Sequence, residues 1–375
     1  AGLVNSKNVV SVLMQHFALA CMVSIIWVVI GYSLAFSEGN DWIGGLGNIF
    51  MNSIELETAS GSIPESLFAT FQMTFAIITP ALMIGAFVER IKFSAMLIFL
   101  FFWVLIVYVP VTHWVWGGGI LSSWGTMDFA GGIVVHATAG IGALVTALTL
   151  GKRRGFPKSL TPPHSPILTM IGASMLWIGW FGFNAGSALG ANSGAGMAML
   201  VTHISAATAS LVWMFIEWKR FGKPSLVGIV TGMVAGLATV TPASGYIGVP
   251  GGLILGLGGG VLCYLAVDFI RGKLQIDDSL DVFAVHGVGG ILGTLLVAFL
   301  ATSTFSGLGL PEGQSGMSQF FVQFKAVILT ILWTSVFTYL ILKLTSLFVS
   351  LRVDEQEEIE GLDLRSHGEK GYHTD

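Results

Sequence analysis

Apolar residues come in long runs along this chain, and short polar or charged stretches separate them. Ten runs reach or approach about twenty residues, the length an α-helix needs to cross a bilayer. They cover roughly 12–36, 66–88, 94–115, 131–150, 166–186, 194–216, 226–241, 246–269, 282–302 and 319–350. The runs at 131–150 and 226–241 are short and rich in glycine, and 319–350 is long enough to be bent or strongly tilted. The pattern predicts an all-α fold, a polytopic bundle of membrane helices. Glycines four apart, such as Gly228, Gly232 and Gly236, predict close helix packing, because small residues let backbones approach in lipid.

The polar stretches carry the orientation. Lys7, Arg90, Lys92, Lys152, Arg153, Arg154, Lys158, Lys219, Arg220, Lys223, Arg271 and Lys273 all fall at the start or in alternate loops. The intervening loops, 37–65, 116–130, 187–193, 242–245 and 303–318, contain no Lys or Arg. The positive-inside rule then puts both termini in the cytoplasm, and the strict alternation supports ten spans.

Two histidines interrupt the apolar runs in matching contexts, Val135-His136-Ala-Thr-Ala-Gly140 and Val285-His286-Gly-Val-Gly-Gly290. Each has an aspartate eight residues upstream, Asp128 and Asp278. An ionisable group at membrane depth is costly and is a functional candidate by default. A single histidine reads as easily as a structural hydrogen-bonding residue between helices. The pair favours function, because His136 follows an outer loop and His286 a cytoplasmic one. Their spans therefore run in opposite directions, the mark of an inverted-topology repeat with its site near the midplane.

Composition removes other classes. With 54% hydrophobic and 10% charged residues the chain is no ordinary soluble globule. A formal net charge of −4 and the lack of a basic block give no sign of a nucleic-acid partner. Cys21 and Cys263 both lie in apolar spans and read as packing residues. No phosphate loop, HExxH, CxxC or catalytic triad is visible, so no enzyme activity, metal or cofactor is expected. Phe99, Phe101, Phe102 and Trp103 read as an interfacial aromatic belt. The first residue is Ala1, with no signal-peptide pattern, so the chain is expected to begin after processing or truncation.

Longer motifs carry a resemblance. They are Phe71-Gln-Met-Thr-Phe75, His113-Trp-Val-Trp116-Gly-Gly-Gly and Asp128-Phe-Ala-Gly-Gly-Ile-Val-Val-His136. There follow Trp177-Ile-Gly-Trp180-Phe-Gly-Phe183-Asn-Ala-Gly-Ser187, Thr241-Pro-Ala-Ser-Gly-Tyr246 and Asp281-Val-Phe-Ala-Val-His286. In this order, and with the tail Glu360-Gly-Leu-Asp…Ser366-His-Gly-Glu369, they resemble the ammonium transporter (Amt) family, related to methylammonium permeases and Rhesus proteins, over essentially the whole chain.

The resemblance implies that Phe75, Trp116 and Ser187 form an outer cation-binding site and that Phe75 with Phe183 gates the pore. It implies that His136 and His286 share a hydrogen bond in the pore, with Asp128 just behind the outer site. Asp128 precedes the first turn of its span, where an aspartate caps a helix, and an electrostatic and structural role is expected there rather than direct proton acceptance. Asp278 and Asp281 are expected to organise the cytoplasmic end of the His286 span.

The implied activity is ammonium transport in the cell (inner or plasma) membrane by a homotrimer with one pore per subunit. The cation would lose a proton at the mouth and ammonia would cross the pore, with net charge movement as the preferred version. A sensor with little flux and a passive gas channel are the alternatives. The family normally has eleven spans, and its first is expected to be missing here. Residues 1–350 would be the membrane domain. Residues 351–375 would be a cytoplasmic regulatory tail, on a face that a PII-type signalling protein can block.

Overall fold

The computed structural model describes residues 1–372. Its long helices fall on the predicted runs. They are α1 (Ser6–Phe36), α2 (Glu65–Phe87), α3 (Phe93–Ser123), α4 (Gly132–Leu150), α5 (Pro166–Gly186), α6 (Ser193–Phe221), α7 (Leu226–Val240), α8 (Val249–Lys273), α9 (Phe283–Leu300) and α10 (Gly316–Phe348). Nine of these, among the described residues, are long and apolar enough to cross a membrane, while α7 has 15 residues. The helix α10 is continuous over 33 residues, about 50 Å at 1.5 Å per residue.

Local chemistry sets where the helices start. Side chains of Ser165, Asn192 and Ser225 accept backbone N–H groups in the first turns of α5, α6 and α7, and Ser315 with Ser318 forms a capping box on α10. The glycine stripe of α7 packs on α6 as its spacing predicts. A Cβ on Gly232 would stand 2.7 Å from the Ala209 carbonyl oxygen, and one on Gly236 2.4 Å from that of Ser205.

The basic loops meet on one face. The Arg90 guanidinium is fully buried and donates to the Asp277 carbonyl and the Ser279 hydroxyl, both at 2.6 Å. Burial pulls it down to about 10, with the Asp277 carboxylate opposing, so it stays charged at neutral pH. Arg153 joins Asp277 at 2.9 Å and Glu89 at 3.0 Å, and Glu89 accepts from the Asn5 backbone and the Asn8 side chain. The loops without Lys or Arg bond to one another at the opposite end. Ser62 donates to the Leu189 carbonyl, Phe129 N–H to that of Pro242, and Leu308 N–H to that of Tyr246.

The tail folds back on the basic face as α11 (Glu355–Glu360) and α12 (Leu362–His367). Leu362 N–H donates to the Asn8 side chain, and the buried Asp363 carboxylate accepts from Ser11 N–H, both at 2.8 Å. Residues 373–375 of the predicted tail lie outside the described residues.

Of the four aromatics expected in an interfacial belt, Phe101 and Phe102 are exposed. Phe99 and Trp103 are instead fully buried, and the Trp103 indole N–H donates to Thr338 on α10 at 2.9 Å. One run of aromatics on one helix therefore serves both its faces. Cys21 and Cys263 are both free thiols.

Candidate functional site

The site is built where α4 and α9 cross. A Cβ on Gly140 would stand 2.3 Å from the Gly287 Cα, and one on Gly290 would stand 2.5 Å from the His136 Cβ. Glycine is required at both points, because any larger residue would hold the backbones apart. As the contact steps back along α4, from Gly140 to His136, it steps forward along α9, from Gly287 to Gly290. The two helices therefore run antiparallel, as an inverted repeat requires.

The repeat extends to backbone detail. Each histidine sits in a π-helical turn, Gly132–Ala137 or Phe283–Gly287. Each turn closes with a bond from the residue two positions after the histidine to the carbonyl three positions before it, Thr138 to Ile133 and Val288 to Phe283. Five residues before each histidine the backbone enters the left-handed region, at Gly131 (φ 113°) and Asp281 (φ 58°). Single π turns recur at functional sites because they re-aim one side chain within a helix.

The upstream aspartates cap these turns. The Asp128 carboxylate is buried and accepts four backbone N–H groups, from Gly131, Gly132, Ile133 and Val134, at 2.6–3.1 Å. Burial pushes this carboxyl above the ordinary range, and the four N–H bonds oppose the rise. Asp278 makes the matching bond to Phe283 N–H at 2.7 Å. Asp281 lies at the bend, with its carboxylate 3.2 Å from Arg271.

The two imidazoles meet with Nδ1 atoms 3.2 Å apart and ring centroids at 5.2 Å. His136 is fully buried and its Nε2 has no protein partner among the described residues. One Nδ1 must donate and the other accept, so in a neutral pair the two Nε2 atoms differ, one bare and one carrying hydrogen.

Aromatic rings continue from the pair toward the end without basic loops. His136 stacks against Phe183 at 6.0 Å, Phe183 meets Phe75 at 4.5 Å, and Phe75 meets Trp116 edge-on at 5.4 Å. Phe75 is only 1% exposed, so the column is closed at that point. The Trp116 indole N–H donates to the Asp128 carbonyl at 2.9 Å, which ties the outermost ring to the loop that caps the His136 helix. Ser187 lies one turn beyond Phe183, at the C-terminal cap of α5. Its hydroxyl donates to the Phe183 carbonyl at 2.9 Å, leaving lone pairs free to accept.

The profile of the Ammonium Transporter Family matches residues 1–372. The chain belongs to the ammonium transporter family. It is 42% identical to the ammonium transporter of Bacillus subtilis (strain 168) over 374 residues, covering 99% of this chain and 92% of that protein. It is 44% identical to ammonium transporter Amt1 of Archaeoglobus fulgidus over 376 residues, covering 99% and 93%. Among solved structures, one described as a sensor Amt protein superposes with a TM-score of 0.90 at 30% identity, covering 98% of this chain and 92% of that one. Mep2 of Saccharomyces cerevisiae superposes at 0.85 with 34% identity, covering 95% and 82%.

One further ring joins the column, from the Trp177–Ser187 motif. Trp180 is buried, stacks on His136 at 5.3 Å and meets Phe183 at 5.1 Å, and its indole N–H donates to the Thr241 hydroxyl at 2.9 Å. Its position three residues before Phe183 puts both on one face of α5, a signal that was present in the sequence.

Proposed function

We propose that this member of the ammonium transporter family moves ammonium inward across the cell membrane, with its termini in the cytoplasm, as a homotrimer with one pore per subunit. The observation that carries the reading is the closed ring column ending on a buried histidine pair at 3.2 Å. A bare cation in a low-dielectric pore costs tens of kcal/mol by the idealised Born estimate, while neutral ammonia avoids most of that. A column that buries Phe75 thus suits ammonia and excludes ions. Trp116 and Phe75 offer ring faces worth about 0.5–2 kcal/mol each to a cation. The Ser187 hydroxyl accepts an N–H bond, which ammonium donates and a metal ion does not.

In this reading the cation binds at Trp116, Phe75 and Ser187 and loses its proton there. Ammonia passes the Phe75–Phe183 gate and hydrogen-bonds the Nε2 atoms of the pair. The proton crosses by the shared His136–His286 bond and recombines on the basic side, so that net charge moves. Asp128 acts through its helix cap and its negative potential. Residues 351–375 act as a regulatory tail, on the face where a PII-type protein would close the pore. Exposed apolar side chains such as Ile167, Met175 and Ile178 along α5 are suited to lipid or to a neighbouring subunit.

The likeness to the sensor Amt structure keeps a second reading, a receptor with little flux. Proteoliposomes measured for current and radiolabelled methylammonium uptake together decide between them. Currents that saturate with ammonium but not sodium, alongside uptake, are expected. Uptake with no current at any pH would overturn the electrogenic version, and binding with neither would leave the receptor.

A further inference from the structure

A carboxamide outside the ring column carries the connection between the outer site and the histidine helices. Gln323 lies on α10 and is completely buried. Its Oε1 accepts from Met127 N–H at 2.8 Å and from the Gln319 side-chain amide at 3.1 Å. Its Nε2 donates to the Met127 carbonyl at 2.7 Å and to the Thr294 carbonyl at 3.0 Å. Two donors and two acceptor sites are all that a carboxamide has, and here every one is used. The orientation is forced, because flipping the group would set N–H against N–H at Met127 and oxygen against oxygen at Thr294. Gln319, also buried, holds the same loop one step earlier by donating to the Gly125 carbonyl at 3.0 Å.

Met127 is the residue before Asp128. Both hydrogen-bonding groups of Met127 are thus held by α10, the Asp128 carboxylate caps α4, and the Asp128 carbonyl holds the Trp116 indole. Thr294 belongs to α9, eight residues beyond His286. We propose that Gln323 is a positioning residue for transport, fixing the loop that aims Trp116 at the cation and locking that loop to the helix that carries His286. The proposal rests on the outer-site reading given above. Gln323 does not touch substrate; it acts through Met127, Asp128 and Thr294.

The test uses the full chain in proteoliposomes, with apparent KM and Vmax for methylammonium normalised to protein amount. Gln323→Leu removes all four bonds and leaves buried Met127 groups without partners, so apparent KM rises about tenfold while Vmax per protein is largely kept. Gln323→Glu separates hydrogen bonding from packing. Its neutral form can donate one O–H and accept one N–H and so remake the Met127 pair, whereas its ionised form has no donor. The titratable neighbour, Asp128, is already engaged by four N–H groups. Burial raises a carboxyl, so the KM of this variant relative to the unaltered protein is expected to be near one at low pH, where the Glu is neutral, and to climb as the pH rises and it ionises.

Thr334→Val on the same buried face of α10 deletes a hydroxyl that has no partner among the described residues, and it leaves both constants unchanged. A Gln323→Leu protein with unaltered KM, or with only Vmax lowered, overturns the proposal. If that variant does not assemble, a pH-independent KM ratio in Gln323→Glu overturns it instead. Trp116→Leu run in parallel reports on the outer-site reading itself: no KM change there removes that reading, while a KM rise there with none in the Gln323 variants removes only the positioning role.

Discussion

At the scale of single residues the site is a set of groups with few spare bonds. At the histidine pair the His136 Nε2 is buried and has no partner among the described residues. Replacing either histidine by alanine removes the Nδ1–Nδ1 bond between the rings, and His136→Ala also opens space beside Trp180 and Phe183. His136→Ala and His286→Ala are each expected to disturb proton coupling or selectivity, read as a lower ratio of current to tracer uptake or as potassium leak. Unchanged current with potassium still excluded in both variants would remove the relay. The mouth is a separate unit, because Trp116 and Ser187 are only part-buried and each makes one bond. Trp116→Leu combined with Ser187→Ala is expected to raise the apparent KM about tenfold, the loss of one cation–π contact and one charge-assisted hydrogen bond, while expression stays at the unaltered level. An identical KM in the double variant would dissociate these residues from the substrate.

At the scale of elements the crossing of α4 and α9 decides everything else. Its closeness comes from Gly140, Gly287 and Gly290, and its direction from the inverted repeat. The valine methyls of Gly140→Val would have to displace the Gly287 backbone, a rigid neighbour rather than a flexible side-chain end. Overpacking of this kind costs about 1–3 kcal/mol or more. The variant is expected to lower the thermal midpoint in detergent and to pull the His136 and His286 rings apart, so activity falls with stability. A thermal midpoint equal to that of the unaltered protein would show that the crossing has slack. The capped π turns add a second element-scale lesson. The place of Asp128 before the first turn suggested an N-cap, and the cap is there; Asp278, expected to organise the cytoplasmic end of the His286 span, makes the matching bond to Phe283 N–H. The π register inside it follows from bonds that no spacing announces.

At the scale of the whole molecule the basic face is a clamp. Arg90, Arg153 and Arg352 join three loops and the tail, while Lys7 donates to the carbonyls of Glu358 and Ile359. The hinge between α11 and α12 is Gly361, at φ 102°, where an added Cβ would stand 2.7 Å from the Lys7 Cβ and 2.8 Å from its carbonyl oxygen. A side chain there is strained by the backbone and blocked by α1 together, at about 1–3 kcal/mol for the backbone alone. Gly361→Asp is therefore expected to release the tail and lower transport per molecule, with membrane abundance unchanged. Full transport in that variant, or after removal of residues 354–375, would make the tail a passive end.

What the sequence determined by itself is what can be written along a line. Apolar runs of about twenty residues set the spans, because every backbone polar group in lipid must be bonded within its own helix. Alternation of Lys and Arg predicted which loops share a face, and the basic loops and both ends do meet there. The paired histidines with matching aspartates mark the crossing in the sequence, since an ionisable group at membrane depth has few other reasons to be there. Tertiary structure decided what depends on residues far apart. Gln323 binds Met127 across 196 positions. On paper it was one more polar residue in an apolar run, although Gln319, Gln323, Thr330, Thr334 and Thr338 recur at helical spacing and trace a buried face. The stacking of Trp180 on His136, the burial of Phe99 and Trp103, and the docking of Asp363 on Ser11 belong to the same class. Hydropathy says that such a side chain is apolar or polar. Only the packed neighbours say which partner satisfies it.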